Sequence, residues 1–126
     1  MNKLLNATTF LIFFFCGTSI ALASECNGTN VLGTWRRQAS EDFTNEAVWT
    51  FLQDSTNTGT IECSGDCIRE GGAPVSWITP GDFFDQPGMI KIVFERAEVI
   101  FGCDMEGEYA MVWTLNGATA MRFARE

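Results

Sequence analysis

Eight short segments that read as β-strands, set one after another with turn chemistry between them, constrain this chain more than any motif in it. They are Val31–Gln38, Ala47–Gln53, Thr58–Cys63, Cys67–Arg69 continued by Val75–Thr79, Met89–Glu95, Ala97–Phe101, Glu108–Leu115 and Ala118–Arg125. Each is rich in β-branched and aromatic residues, the types that fit a pleated, half-buried surface. Asn116-Gly117 joins the last two, and both residues accept the positive φ of a type I′ turn, which makes this the strongest hairpin signal in the sequence. Thr58–Arg69 reads as a second hairpin, whose Ser64-Gly65-Asp66 turn would set Cys63 across from Cys67 at bridging distance.

Period-two alternation sorts the faces of these strands. Tyr109, Met111, Trp113 and Leu115 share one side of theirs, against Ala110, Val112 and Thr114; Ile90, Ile92 and Phe94 likewise oppose Lys91, Val93 and Glu95. Eight sequential antiparallel strands that bury one face have few arrangements open to them, and closure into an up-and-down barrel removes the exposed edges. A barrel of this size is just wide enough to be filled by side chains or to hold one small ligand. With Trp35, Trp49, Phe51, Phe94, Trp113 and Phe123 as candidates for the interior, the expectation is an all-β, mostly filled barrel. The run PGDFFDQPG breaks the pattern around residues 80–88 and is expected to form a loop or short helical turn, with Phe83, Phe84 or both plugging an end of the core.

The first 23 residues read as an export signal. Lys3 supplies a positive start, Phe10–Phe15 an uncharged apolar run, and Ala21-Leu22-Ala23 small residues at the two positions a signal peptidase reads, so cleavage after Ala23 is expected. The apolar run is shorter than the roughly 20 residues that cross a bilayer, so no membrane insertion is expected after cleavage. Residues 24–126 then form one domain with a modest core. Loss of Lys3 leaves seven Lys and Arg against sixteen Asp and Glu, a charge of −9 that repels nucleic acid and anionic lipid.

The chain has no histidine, which removes the commonest general base and the commonest metal ligand and argues against an enzyme, a metal site or a cofactor. Four cysteines remain after the signal, Cys26, Cys63, Cys67 and Cys103, with three connectivities open in an oxidising compartment. Disulfides are preferred over a four-thiolate metal site because only Cys63 and Cys67 are close in sequence, where such a site needs two close pairs. Glu41, Asp42, Glu46, Glu62, Asp66, Glu70, Glu95 and Glu98 are read as a solvated acidic surface, since no ligand loop with a closing bidentate Glu is present. Arg36 and Arg37 are expected to straddle a strand, one solvated and one near the floor of the barrel. Asn27-Gly28-Thr29 is a glycosylation sequon.

Val31-Leu32-Gly33-Thr34-Trp35 at the first strand, Trp49-Thr50-Phe51 in the second, the strand count and the terminal Phe123-Ala124-Arg125 together resemble the lipocalin-like small barrels of the calycin group. The resemblance implies that Gly33, Trp35 and Arg125 form a structural floor, with the arginine packed across the tryptophan ring and Arg122 as its substitute. With that topology Cys26 and Cys103, the latter in the connection before the seventh strand, fall at the closed end and Cys63 and Cys67 at the open rim. The pairing expected from it is Cys26–Cys103 and Cys63–Cys67. Unlike typical lipocalins, the chain is expected to form neither a long first loop nor a C-terminal helix, which argues against a large ligand cavity.

Function follows the same resemblance. The first expectation is an exported, secreted or periplasmic, monomeric, non-enzymatic binding protein that holds a small apolar ligand at the barrel mouth, against Trp49, Phe51, Met111 and Trp113. The alternative is a proteinaceous inhibitor or partner-binding module directed at a basic secreted hydrolase, a protease or lysozyme, whose encounter the acidic charge would speed.

Overall fold

A computed structural model of the chain describes residues 24–39 and 44–126. The export signal expected over residues 1–23 lies outside the described residues, as do Glu41 and Asp42. Nine strands follow in order: β1 (Ser24–Glu25), β2 (Gly33–Arg37), β3 (Ala47–Ser55), β4 (Thr58–Gly65), β5 (Pro74–Ile78), β6 (Met89–Phe94), β7 (Glu98–Glu106), β8 (Ala110–Leu115) and β9 (Ala118–Arg125). No helix occurs among the described residues.

From β2 to β9 each strand pairs antiparallel with the next, and β9 returns to β2 with Phe123 opposite Arg37 and Arg125 opposite Trp35. Eight strands thereby close into an up-and-down barrel and leave the sheet without a long free edge. The short β1 continues the β6 side of β7, setting Ser24 and Glu25 against Met105 and Asp104, where β6, paired only as far as Gly102, has ended. The β8–β9 turn carries Asn116 at φ 54° and Gly117 at φ 81°, the two positive values that a type I′ hairpin requires.

Two segments depart from expectation. β7 runs on to Glu106, so Cys103 lies inside a strand and not in the connection that follows it. The stretch from Cys67 to Arg69 is not a strand, because the disulfide between Cys63 and Cys67, with Cα atoms 6.1 Å apart, turns the chain back directly after β4. Cys67 N donates to the Gly65 carbonyl at 3.0 Å within that turn. As a result β4 pairs with β5 only through Thr58–Thr60 and Ser76–Ile78, and the 66–73 loop stands where the second hairpin was expected.

The barrel has a floor end, where β2, β4, β6 and β8 begin, and a rim end, where they finish. Inward residues fill the space between them: Trp35, Trp49, Phe51, Trp77, Ile90, Ile92, Met111, Trp113 and Phe123 are all at 0–1% exposure. Residues 80–88 form a loop at the floor end without a helical turn. Phe84 turns inward and is 7% exposed, whereas Phe83 is 80% exposed, so one ring of the pair plugs the fold and the other leaves it.

Candidate binding site at the barrel rim

The floor is built from three residues that need one another. Trp35 lies fully buried and donates its indole N–H to the Val31 carbonyl at 2.9 Å. The Arg125 guanidinium covers the Trp35 ring, its carbon 4.0 Å from the ring centroid, within the range of a cation–π stack. Its three nitrogens donate to the carbonyls of Glu108 (2.8 Å), Leu32 (2.8 Å) and Asn30 (3.0 Å), which ties β9 to the segment leading into β2. Gly33 has φ +114°, and a Cβ there would come within 2.9 Å of Arg125 Nη1, so both its backbone and its missing side chain are required. The Cys26–Cys103 disulfide, with Cα atoms 5.5 Å apart, closes the same end.

Above the floor, Trp49, Phe51, Met111 and Trp113 are brought together as the centre of the core. The Trp113 ring lies 4.7 Å from Phe123, 5.0 Å from Phe101, 5.5 Å from Trp49 and 6.2 Å from Phe51, centroid to centroid. The Trp49 and Trp113 indole nitrogens have no hydrogen-bond partner, so this layer gives up polar contacts for ring packing. Four residues expected to line a ligand mouth therefore pack on each other and are closed to solvent.

The rim end is held by charge. Arg37 points inward and is 1% exposed, at the far end from the floor near which one of the two arginines was expected. It donates to the Asp66 and Asn45 carbonyls, both at 2.8 Å, and lies 3.8 Å from the Asp66 carboxylate. Arg69 grips that carboxylate from outside through Nη1 at 2.9 Å and Nη2 at 3.0 Å. The hydrogen bond from Arg69, with the charges of both arginines, holds the Asp66 carboxyl below its ordinary value. Burial draws the Arg37 guanidinium down from its usual value, with Asp66 opposing it. The neighbouring Arg36 is solvated and pairs with Glu126 at 2.9 Å and Glu46 at 3.4 Å.

Beside this plug lies a hollow of about 290 Å3. Phe101 lies at its base with Phe94, Val99 and Leu115, and Arg69, Glu70, Gly71 and Ala97 form the lip. These apolar residues continue the inward faces of β6, β7 and β8 past the last fully buried layer, where Trp113 gives way to the 41% exposed Leu115. The lip is ordered by backbone bonds from the β6–β7 turn to the 66–73 loop, Arg96 N to the Gly71 carbonyl (2.8 Å) and Glu95 N to the Ala73 carbonyl (3.1 Å), and by Phe94 N to the Ala97 carbonyl (2.7 Å), which closes the turn itself. Ala73 N in turn donates to the Glu95 carboxylate at 3.0 Å. Phe94 was recognisable as inward from its sequence, but Val99, Phe101 and Leu115 were missed as a lining. Alternation sets Leu115 on the face of Met111 and Trp113, but does not show that this face runs past the core there and leaves Leu115 41% exposed.

Among the described residues, the acidic residues named above do not assemble into a site. Glu46 pairs with Arg36, Asp66 with the two arginines, and Glu98 lies 3.7 Å from Lys91. Among the described residues no three or more carboxylates and thiols are grouped so as to hold a metal ion. Comparison with protein-family models, with curated proteins and with solved structures returns no match. The fold itself is an eight-stranded antiparallel barrel with two disulfides, which suit an oxidising compartment.

Proposed function

We propose that this chain is an exported, non-enzymatic, lipocalin-like binding protein that holds a small apolar group in the rim hollow. The observation that carries the reading is the hollow of about 290 Å3 walled by Phe94, Val99, Phe101 and Leu115 above a filled core. That volume falls just under the roughly 300–1,000 Å3 of ligand pockets, so a compact aromatic of up to three fused rings or a short chain suits it better than a long lipid. The stacked Trp35–Arg125 floor and the Cys26–Cys103 staple support the lipocalin-like part of the reading. Titration with 1-aminoanthracene, followed by its emission, tests it. Saturable binding, displaced by short alcohols and weakened about tenfold or more by Leu115→Arg, is expected. Absence of binding, or binding unchanged by Leu115→Arg and Ala97→Trp in folded protein, would sink it.

A second reading, a module that docks on or inhibits a basic secreted hydrolase, is favoured by one observation. Phe83, the most exposed of the large apolar residues among those described, projects from the floor end, opposite the hollow, on a chain of net charge −8. Such a partner would be met faster at low salt than at high.

A further inference from the structure

We infer that the turn Gly81–Phe84 is a preformed docking knob for a partner protein whose receiving pocket is apolar inside and cationic at its edge. This rests on the second reading above and supplies the residues it would use. An exposed aromatic on its own is ordinary, but four features set Phe83 apart.

The turn is closed on itself. Gly81 N donates to the Phe84 carbonyl at 2.7 Å and Phe84 N to the Gly81 carbonyl at 3.4 Å, a four-residue loop with Phe83 near its tip. It is seated on the barrel: Phe84 is buried beneath it with the Lys91 ammonium 5.7 Å from its ring centroid, and Thr79 N donates to the Asn57 carbonyl at 2.9 Å. A Cβ at Gly81 would meet the Asn57 side-chain amide, so the turn packs directly on the side chain of the β3–β4 connection. Pro80 and Pro87 flank it and restrict the chain on both sides. Phe83 is therefore presented by a rigid support, and binding would lose little ordering entropy.

Charge selects the partner. Asp82 and Asp85 are both exposed beside Phe83, and no ion pair to either occurs among the described residues. A second copy of this chain, or an anionic lipid surface, would bring like charge against these carboxylates. A protein with lysines or arginines around an apolar pocket meets both requirements at once, an aromatic anchor at the centre and charge pairs at the rim.

The experiment places a photo-crosslinking benzoylphenylalanine at position 83 of the purified full chain, and separately at Leu52 and Val75, two exposed apolar positions on strands. Each is irradiated in the exported fraction of the cells that produce the protein. A discrete protein adduct specific to position 83, reduced tenfold or more by Asp82→Asn with Asp85→Asn and by added salt, is expected. No adduct, equal adducts from all three positions, or an adduct to a second copy or to lipid would overturn the proposal. Phe83→Ala is expected to leave the thermal midpoint and 1-aminoanthracene binding unchanged, because the ring is out in solvent and distant from the rim. A specific adduct to a protein without hydrolase activity would remove the inhibitor reading and leave the docking knob standing.

Discussion

Replacing Gly33 by alanine perturbs the floor of the barrel in two separable ways. The first is local: φ +114° is a conformation that residues with a Cβ adopt only under strain, at about 1–3 kcal/mol. The second acts through space, because the new Cβ would stand 2.9 Å from Arg125 Nη1 and force the guanidinium away from the Leu32 carbonyl and from its 4.0 Å stack on Trp35. Arg125→Ala alone removes three charge-assisted hydrogen bonds and the stack. Since Arg125 is only part-buried, solvent replaces some of these contacts, and a net loss of about 2–4 kcal/mol is expected. In the Arg125→Ala background the through-space cost of Gly33→Ala vanishes and only the backbone strain remains. The double variant should therefore be less destabilised than the sum of the singles by about 1–2 kcal/mol. Urea unfolding followed by tryptophan fluorescence in oxidising buffer measures all four corners, and each must unfold in a single transition for the cycle to close. Additivity to within about 0.5 kcal/mol would refute the coupling, and with it the claim that Gly33 is required by Arg125.

The two disulfides should differ in worth, because they close loops of 77 and 4 residues. Chain entropy assigns about 4.5 kcal/mol to Cys26–Cys103 and about 2 kcal/mol to Cys63–Cys67, so paired Cys→Ala replacement at the floor should lower the denaturation midpoint roughly twice as far as at the rim. Asp66 carries a carboxyl held below its unfolded value, chiefly by the Arg69 hydrogen bond. Its stabilisation is thus full above the unfolded pKa and lost as pH falls through the folded one, and the stability difference between wild type and Asp66→Asn should shrink on acidification and close at the acid limit. Trp113→Ala should cost about 3–5 kcal/mol by opening a cavity among Trp49, Phe101 and Phe123, and added indole should restore part of the thermal midpoint; no rescue in a folded variant would show that the site had collapsed.

Strand positions were legible because alternation and turn residues are local. Ala118–Arg125 and Asn116-Gly117 stand where their composition places them, and the sequential order of strands leads directly to the closed barrel. The course of residues 66–73 was not legible, since a disulfide across four residues can lie within a hairpin or replace one, and only the paired backbone distinguishes them. Arg37 misled for a different reason. Alternation puts it inside with Trp35, but its height along β2 sets it at the rim, two residues beyond the tryptophan, where the Asp66 and Asn45 carbonyls accept from its two terminal nitrogens. The mouth lining was hidden by the tryptophans: Trp49 and Trp113 look like ligand contacts by size, and their mutual packing removes them from solvent.

That packing also decides where recognition can occur. An eight-stranded barrel either fills its interior or leaves room for one small ligand, and Trp113, in contact with four other rings, commits this one to filling. The Trp35–Arg125 stack closes the floor and the Arg37–Asp66 pair closes much of the rim, so no ligand path runs through the middle. Two features of the described residues carry the proposed readings, the hollow where inward residues outlast the core and the turn where Phe83 leaves it. They stand at opposite ends of the barrel, so occupancy of one does not obstruct the other. On the two proposed readings, a ligand at the rim and a partner at the floor end would be bound together, and Leu115→Arg and Phe83→Ala would separate the two events because each substitution reaches only its own end.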